Sequence, residues 1–381
     1  MEEGSPLLPD AGSEALGDLA ESLRLMLIPG VGPRIRRALL DRFASAGAVL
    51  DAAPSALREV PGVGPKLTAR IAAAREEIDS EAEIDLCRRE RIAILTEADA
   101  GYPRMLREIP DPPGVLFLCG AILPRDRLAV AIVGTRHASS YGLKQAERLA
   151  ASLARAGLTI VSGLARGIDS AAHRAALEAG GRTLAVLGSG VLNIYPPEHV
   201  RLAEEVLAAG AVLSEAPPRA EPLAGAFPQR NRIISGLALG TVIVEAGRQS
   251  GALITARHAM EQGREVFAVP GRVDSRSSQG CHRLIRDGAK LVESADDVLE
   301  ELGPLVEATP HEGGRTIHHP AELALNEQEQ QVLDAVDTAA TAIDAIVAAT
   351  GLSVPAVLAT LSVLEVRRLV RRVSGSSVVR L

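Results

Sequence analysis

Tryptophan is absent from this 381-residue sequence, and aromatic residues of any kind make up only 2% of it. The three cysteines, Cys87, Cys119 and Cys281, stand far apart with no C-x-x-C pair. Their odd number and spacing argue against disulfides and a zinc site, and they fit a reducing cytoplasm. Apolar stretches are broken by Gly or charge at strand length, so no membrane span is expected. The N-terminus, MEEGSPLLPDAGSEALGD, lacks the basic segment of a secretory signal. Neither G-x-G-x-x-G nor G-x-x-x-x-G-K-[ST] occurs, which argues against the ordinary dinucleotide site and against ATP hydrolysis. His137, His173, His199 and His258 are scattered with no H-x-x-x-H spacing, and Ser162 and Ser189 have no identifiable base. Asp169 reads as a helix N-cap more readily than as a general base. The sequence thus presents no catalytic constellation, metal-ligand set or cofactor motif.

Basic charge is scarce overall, with a net charge of −7, but its distribution matters more. Residues 1–21 carry six acids and no base, and residues 293–327 carry nine acids against Arg315 alone. Without those two stretches the remainder has a net charge of +7. An acidic tail and an acidic linker therefore mask a mildly basic body that suits a polyanion.

The pentapeptide PGVGP occurs at 29–33 and again at 61–65, each time between an apolar run and a helical pattern. Two copies are too few for a solenoid and read as paired helix–hairpin–helix units. Gly30, Gly32, Gly62 and Gly64 permit tight hairpins. Arg34 and Lys66 stand at the following helix starts, where duplex phosphates could bind. Packing or protein contacts are the competing reading. From Ala129 onward, β-branched runs at 130–133, 158–161, 183–187, 211–213, 241–244 and 265–269 alternate with Ala-rich helical segments, with another strand at 289–292. That is the pattern of a parallel α/β sheet covered on both faces.

The expected organisation is a disordered acidic tail (1–18), a helical domain with both hairpins (19–90), the α/β domain (91–302), a linker (303–324) and a winged helix (325–381). Residues 101–120 read as a turn-rich approach to the sheet. In the winged helix, Asn326 and Ser353 cap helices and two short strands flank Gly375. Its third helix would show Ser353, Ala356, Thr360 and Ser362 with no base before Arg367, which favours a protein contact or a weak DNA-backbone role over base reading.

Four strands run into Gly-containing ends, at Gly134-Thr135-Arg136, at Ser162-Gly163 through Arg166-Gly167, at Gly188-Ser189-Gly190, and from Glu245 through Arg248, Ser250 and Gly251. Such ends share one edge of a parallel sheet, where phosphates can meet helix N-termini and backbone amides. The alternative is tight turns that need Gly for packing. The run FPQRNRIISGL at 227–237 sets Phe227 ahead of Arg230, Asn231 and Arg232, a ring for stacking and two guanidiniums for phosphates. Core packing of Phe227 and ion pairs of the arginines with Glu215 or Glu245 compete with that reading.

IVGTRHASSYG (132–142), VSGLARGIDSAAH (161–173), LGSGVLNIYPPEH (187–199), FPQRNRIISGL and VEAGRQSGALITARHAMEQGREVFAVPG (244–271) resemble the DprA family of DNA-processing proteins, also called Smf. The resemblance covers about residues 98–301 and implies an extended Rossmann domain flanked by a helical SAM-like domain and a winged helix. It further implies a bacterial cytoplasmic protein, a homodimer through the central domain, that binds single-stranded DNA and loads RecA in natural transformation or recombination. Carried over by motif, Gly134, Thr135, Arg136, Ser162 and Gly163 would hold phosphates, Phe227 would meet a base, and Arg230, Asn231 and Arg232 would anchor the strand. GCHRLI at 280–285 departs from the family, with His282 in place of an Asn. Two other readings stay open: a nucleotide-binding enzyme or sensor on the same edge, with Glu245 as its carboxylate, and an adaptor that binds proteins through its flanking modules.

Overall fold

The computed structural model describes residues 13–302, 309–310, 316–374 and 376–381. Its first unit is helical: α1 (Ser13–Leu27), α2 (Pro33–Phe43), α3 (Ala46–Leu50), α4 (Pro54–Leu57), α5 (Pro65–Glu77) and α6 (Ser80–Arg89). α1 begins inside the stretch expected to be a tail, because Leu19, Ala20 and Leu23 share a helical face that packs into a core. Residues 1–12 of that expected tail lie outside the described residues. Gly30 and Gly62 adopt φ of 102° and 88°, conformations that penalise a Cβ, and Gly32 and Gly64 cap helices opened by Pro33 and Pro65. A Cβ on Gly30 would touch Leu67 and one on Gly62 would touch Ile35, both at 3.5 Å, so the two hairpins pair as a tandem.

The second unit is a nine-stranded sheet. Its strands are β1 (Ala93–Thr96), β2 (Val115–Gly120), β3 (Ala129–Val133), β4 (Thr159–Ser162), β5 (Thr183–Leu187), β6 (Ala211–Ser214), β7 (Gly240–Ile243), β8 (Glu265–Ala268) and β9 (Lys290–Leu291), in the order β1-β2-β6-β5-β4-β3-β7-β8-β9. Every pairing from β6 to β9 is parallel. β1 and β2 add an antiparallel edge to β6, so the sheet is mixed. Residues 115–120 form a strand where a turn-rich approach was expected, because the apolar run Val115–Leu118 is buried as soon as it pairs with Ser214 and Leu213.

The sheet carries α7 (Arg104–Arg107), α8 (Ser140–Arg155), α9 (Ile168–Glu178), α10 (Val200–Ala209), α11 (Ala226–Gly236), α12 (Ala252–Glu261), α13 (Gln279–Arg286) and α14 (Ala295–Glu301). Val130 and Ile132 pack beneath α8, α9 and α14, while Ala131 and Val133 pack beneath α11, α12 and α13. That alternation at period two explains why β3 is apolar throughout. α1, α6 and α10 share a third core with Phe117, Ala185 and Val212, which fastens the helical unit to the sheet.

The described part of the expected linker is not bare. β10 (Thr309–Pro310) pairs with β11 (Thr316–Ile317), a 3-10 turn spans Pro320–Ala324, and Leu323 packs against the sheet's core. Beyond it come α15 (Glu327–Asp334), β12 (Thr341–Ala342), α16 (Ile343–Thr350), α17 (Val354–Val366), β13 (Val370–Ser374) and β14 (Ser377–Arg380), a winged helix with Asn326 and Ser353 as caps. Gly375, expected between the last two strands, lies outside the described residues. Thr360, expected to be displayed, is buried and accepts a hydrogen bond from Gln328 Nε2 at 2.8 Å. α17 exposes Val354, Val363 and Val366 instead. Among the described residues no single helix is long and apolar enough to cross a membrane.

Candidate nucleic-acid interface

β3 lies between β4 and β7, and later strands are added outward from it in opposite directions. This reversal opens a crevice at the carboxyl ends of β3 and β7, where open α/β sheets bind ligands. A cavity of about 640 Å³ occupies it. Gly134, Thr135, Arg136 and His137 form one wall, and Phe227, Arg230 and Asn231 at the start of α11 face them. Asp169, Tyr195 and the segment Ser250–Ala252 complete it.

The Phe227 ring lines the cavity with Tyr195 and Arg136 beside it. Its centroid lies 5.7 Å from that of Tyr195 at an interplanar angle of 47°, and the Arg136 guanidinium carbon sits 5.1 Å from it. The latter is a cation–π contact. A Cβ at Gly188 would come within 2.8 Å of the ring, so glycine there leaves room for it. Arg136 is exposed and forms no ion pair among the described residues.

Arg230 has a different role from the one its motif suggests. It is 6% exposed, and its Nη1 donates to Gly163 O at 2.8 Å and to Val186 O. The guanidinium thereby joins α11 to the ends of β4 and β5. Burial lowers its pKa to about 10, while the nearby Asp169 charge opposes the shift. Burial raises the Asp169 pKa against the pull of Arg230, and that carboxylate accepts the Gly163 N–H at 3.1 Å. The N-cap of α9 is Gly167, so Asp169 is a first-turn residue and not the cap. Asn231 accepts from Arg230 Nε and donates to Gly251 O, each at 3.3 Å, which holds α11 to the loop before α12.

Arg232 does not reach the cavity. It is 2% exposed, its Nη2 donates to both Glu215 oxygens at 2.7 and 2.8 Å, and its Nε lies 3.2 Å from Asp111. A helix turns about 100° per residue, so Arg230 and Arg232, two positions apart, point to nearly opposite faces and cannot both face the rim.

The glycines serve packing more than amide presentation. A Cβ on Gly134 would lie 2.5 Å from Ile168, one on Gly163 2.6 Å from the Arg230 guanidinium, and one on Gly167 2.4 Å from Thr135 O. The Thr135 amide donates to Glu245 O and the Ile168 amide to Thr135 O, at 2.7 and 3.3 Å. Ser162 and Gly163 are buried, and Ser162 Oγ donates to Ile132 O at 2.6 Å, so neither residue is on the rim. The expected row of free amides is therefore largely consumed within the protein. Arg166 pairs with Glu198 outside the cavity, and Gly167 supports the turn beneath it. Arg248 is exposed and lines a separate cavity of about 810 Å³ with His282 and Leu291. Glu245 is 3% exposed and accepts from Ser139 N, Ser139 Oγ and Ser277 Oγ at 2.8, 2.7 and 2.9 Å, which satisfies both of its oxygens.

Residues 93–303, more than half of the chain, match the DNA recombination-mediator protein A family. The chain belongs to that family. In this recombination-mediator chain, residues 22–77 match a SAM-like helix-hairpin-helix tandem and residues 318–376 the DprA winged-helix domain. It is 40% identical to Protein Smf of Synechocystis over 73% of this chain and 71% of that one. It is 48% identical to the DNA processing protein DprA of Streptococcus pneumoniae over 54% and 72% of the two chains. The X-ray structure of the S. pneumoniae protein aligns with a TM-score of 0.64 at 37% identity, covering 74% of this chain and 97% of that one. DNA processing protein A from Helicobacter pylori, solved for its single-stranded DNA binding mode, aligns with a TM-score of 0.50 at 29% identity over 56% and 95%.

Of the residues singled out by the family motifs, the fold gathers Gly134, Thr135, Arg136, Phe227, Arg230, Asn231, Ser250 and Gly251 around one cavity. Tyr195 and Thr255 line it too and escaped the sequence reading, as did His137, which spacing alone sets aside as an isolated histidine. Tyr195 carried a signal, since it is one of few aromatics and lies inside a quoted family motif. His282, where the chain departs from the family, makes a hydrogen bond in that loop, its Nε2 lying 3.0 Å from Gly271 O. In the helical domain Arg34 and Lys66 are both exposed, on helices with no acid in their first turns.

Proposed function

We propose that this recombination mediator binds single-stranded DNA, without strong sequence preference, across the crevice at the ends of β3 and β7. The observation that carries the reading is Arg136, an exposed guanidinium without an ion pair among the described residues, held over the Phe227 ring with Tyr195 beside it. A cation next to an aromatic ring meets a phosphate and a base at once, whatever the base. The single-stranded DNA binding of the H. pylori protein supports the class of ligand. The protein delivers the strand to RecA in the bacterial cytoplasm, as a homodimer through the central domain. Val273 and Leu291, 88% and 41% exposed at the β9 end of the sheet, offer that second copy apolar surface. Lys66 gives the second hairpin a duplex-phosphate role, and the winged helix, with a base-free and partly apolar α17, contacts protein.

The nucleotide-enzyme reading loses its candidate carboxylate, because serine hydroxyls and an amide already satisfy Glu245. We assign the chain no catalytic residue and no cofactor.

Fluorescence anisotropy with labelled oligo-dT over a salt series checks the site. Phe227→Ala is expected to weaken binding by about 1–3 kcal/mol, the worth of one stacked base. Arg136→Ala is expected to weaken it and to reduce the log–log salt slope by about 0.7, the value of one phosphate contact on a single strand. Wild-type affinity and slope in both variants would place the strand elsewhere.

A further inference from the structure

Arg230 lines two cavities. The second, of about 590 Å³, lies between the start of α11 and the first PGVGP hairpin. Pro29, Gly30 and Val31 form its wall on the hairpin side, and Gly188, Leu223 and Gln229 on the sheet side. We propose that this groove carries the continuation of the same single strand, which makes the first hairpin a wall of a single-strand path and not a duplex clamp. The inference rests on the single-strand reading of the β3–β7 crevice.

Continuity with that crevice is the first support. Arg230 borders both cavities, and Gly188, which lines the groove, is also the residue against which the Phe227 ring packs. A base at the ring therefore has its neighbour at the groove mouth. The lining chemistry agrees. Val31 and Leu223 present apolar surface suited to unstacked bases, and Leu223 is 67% exposed at the mouth. Among the described residues the one carboxylate lining the groove, Glu215, is neutralised by Arg232 at 2.7 Å, so none of them leaves a free anion there to repel a strand. Arg36 enters the groove with its Nη1 2.6 Å from Glu97 and its buried Nε without a partner, and the exposed Arg34 stands near by on the same helix. The second hairpin has the same five residues but lines neither cavity, so tertiary placement separates the two copies.

Oligo-dT from about 4 to about 16 nucleotides, the range of known single-strand grooves, separates the crevice from its extension. With the full chain, Leu223→Glu and Val31→Glu are each expected to bind the shortest oligonucleotides like wild type. The longest should bind about tenfold more weakly, because a carboxylate then faces the backbone. Leu223 is exposed, so its replacement does not challenge folding. A benzophenone photocrosslinker at Leu223 should capture the long oligonucleotide and not the shortest, and the same probe at Lys66 should capture neither. Unchanged affinity of Leu223→Glu at every length, no capture at Leu223, or equal capture at Lys66 each overturns the path. If Arg136→Ala bound the shortest oligonucleotides like wild type, the crevice reading itself would fail, and the path with it.

Discussion

Arg230→Ala is expected to lower the stability of the central domain by about 3–5 kcal/mol, the cost of breaking up a buried charge cluster. The guanidinium satisfies Gly163 O and Val186 O and offsets the buried Asp169 carboxylate. Alanine would leave two carbonyls and a charge without it, and a void where the side chain stood. Arg136→Ala removes an exposed side chain and should stay within about 0.5 kcal/mol of wild type. Urea unfolding of the two variants decides the matter. A loss below about 1 kcal/mol for Arg230→Ala would return Arg230 to the DNA as a free anchor. Loss of binding in a double Arg230→Ala, Arg232→Ala variant would, by the same argument, report a damaged fold and not a lost contact.

Acid is expected to expose a second buried group. His173 Nδ1 lies 2.7 Å from Thr183 Oγ1, and that hydroxyl donates to Ile160 O at 2.7 Å. Nδ1 must therefore carry the proton, which leaves the buried Nε2 bare and without a partner. Burial first, then the charges of His199, Arg230 and Arg174, lowers the His173 pKa from 6.5 to about 3. The unfolded chain takes up this proton near 6.5 and the folded one only near 3. In that window the unfolded state binds more protons, so the contribution is complete above it and is lost as pH falls. The gap corresponds to roughly 3–5 kcal/mol. Asp169, with a raised pKa, has the opposite sign and loses stability as pH rises from its unfolded value. His173→Asn retains a donor toward Thr183 and should flatten the acid limb. Stability of the two proteins at pH 7 and pH 4 is the readout, and an unchanged difference between them would refute the assignment.

The β3–β8 part of the sheet was legible because a strand buried on both faces leaves an unmistakable apolar run, as Val130–Val133 does. β1 and β2 were not, because Ala93–Thr96 is only partly buried at the sheet's edge and Val115–Gly120 follows a Pro-rich stretch whose turn signals mask it. At the candidate site, the motif residues converge on one sheet edge, but fewer of them line its cavity than the motifs name. Arg230, Arg232, Ser162 and Gly163 belong to the motifs, yet burial and hydrogen bonding assign them to the protein's own framework. Spacing along a chain does not reveal which donors are already taken.

Local sequence by itself determined the hairpins, the capped helices and the parallel strands, because φ preference, capping and apolar period act over a few residues. Only the tertiary structure decided which guanidinium remains free, which carboxylate is satisfied, and which of two identical pentapeptides stands beside the crevice. Those outcomes depend on desolvation and partner geometry between segments far apart in the chain, such as Arg136 and Phe227 or Val31 and Leu223.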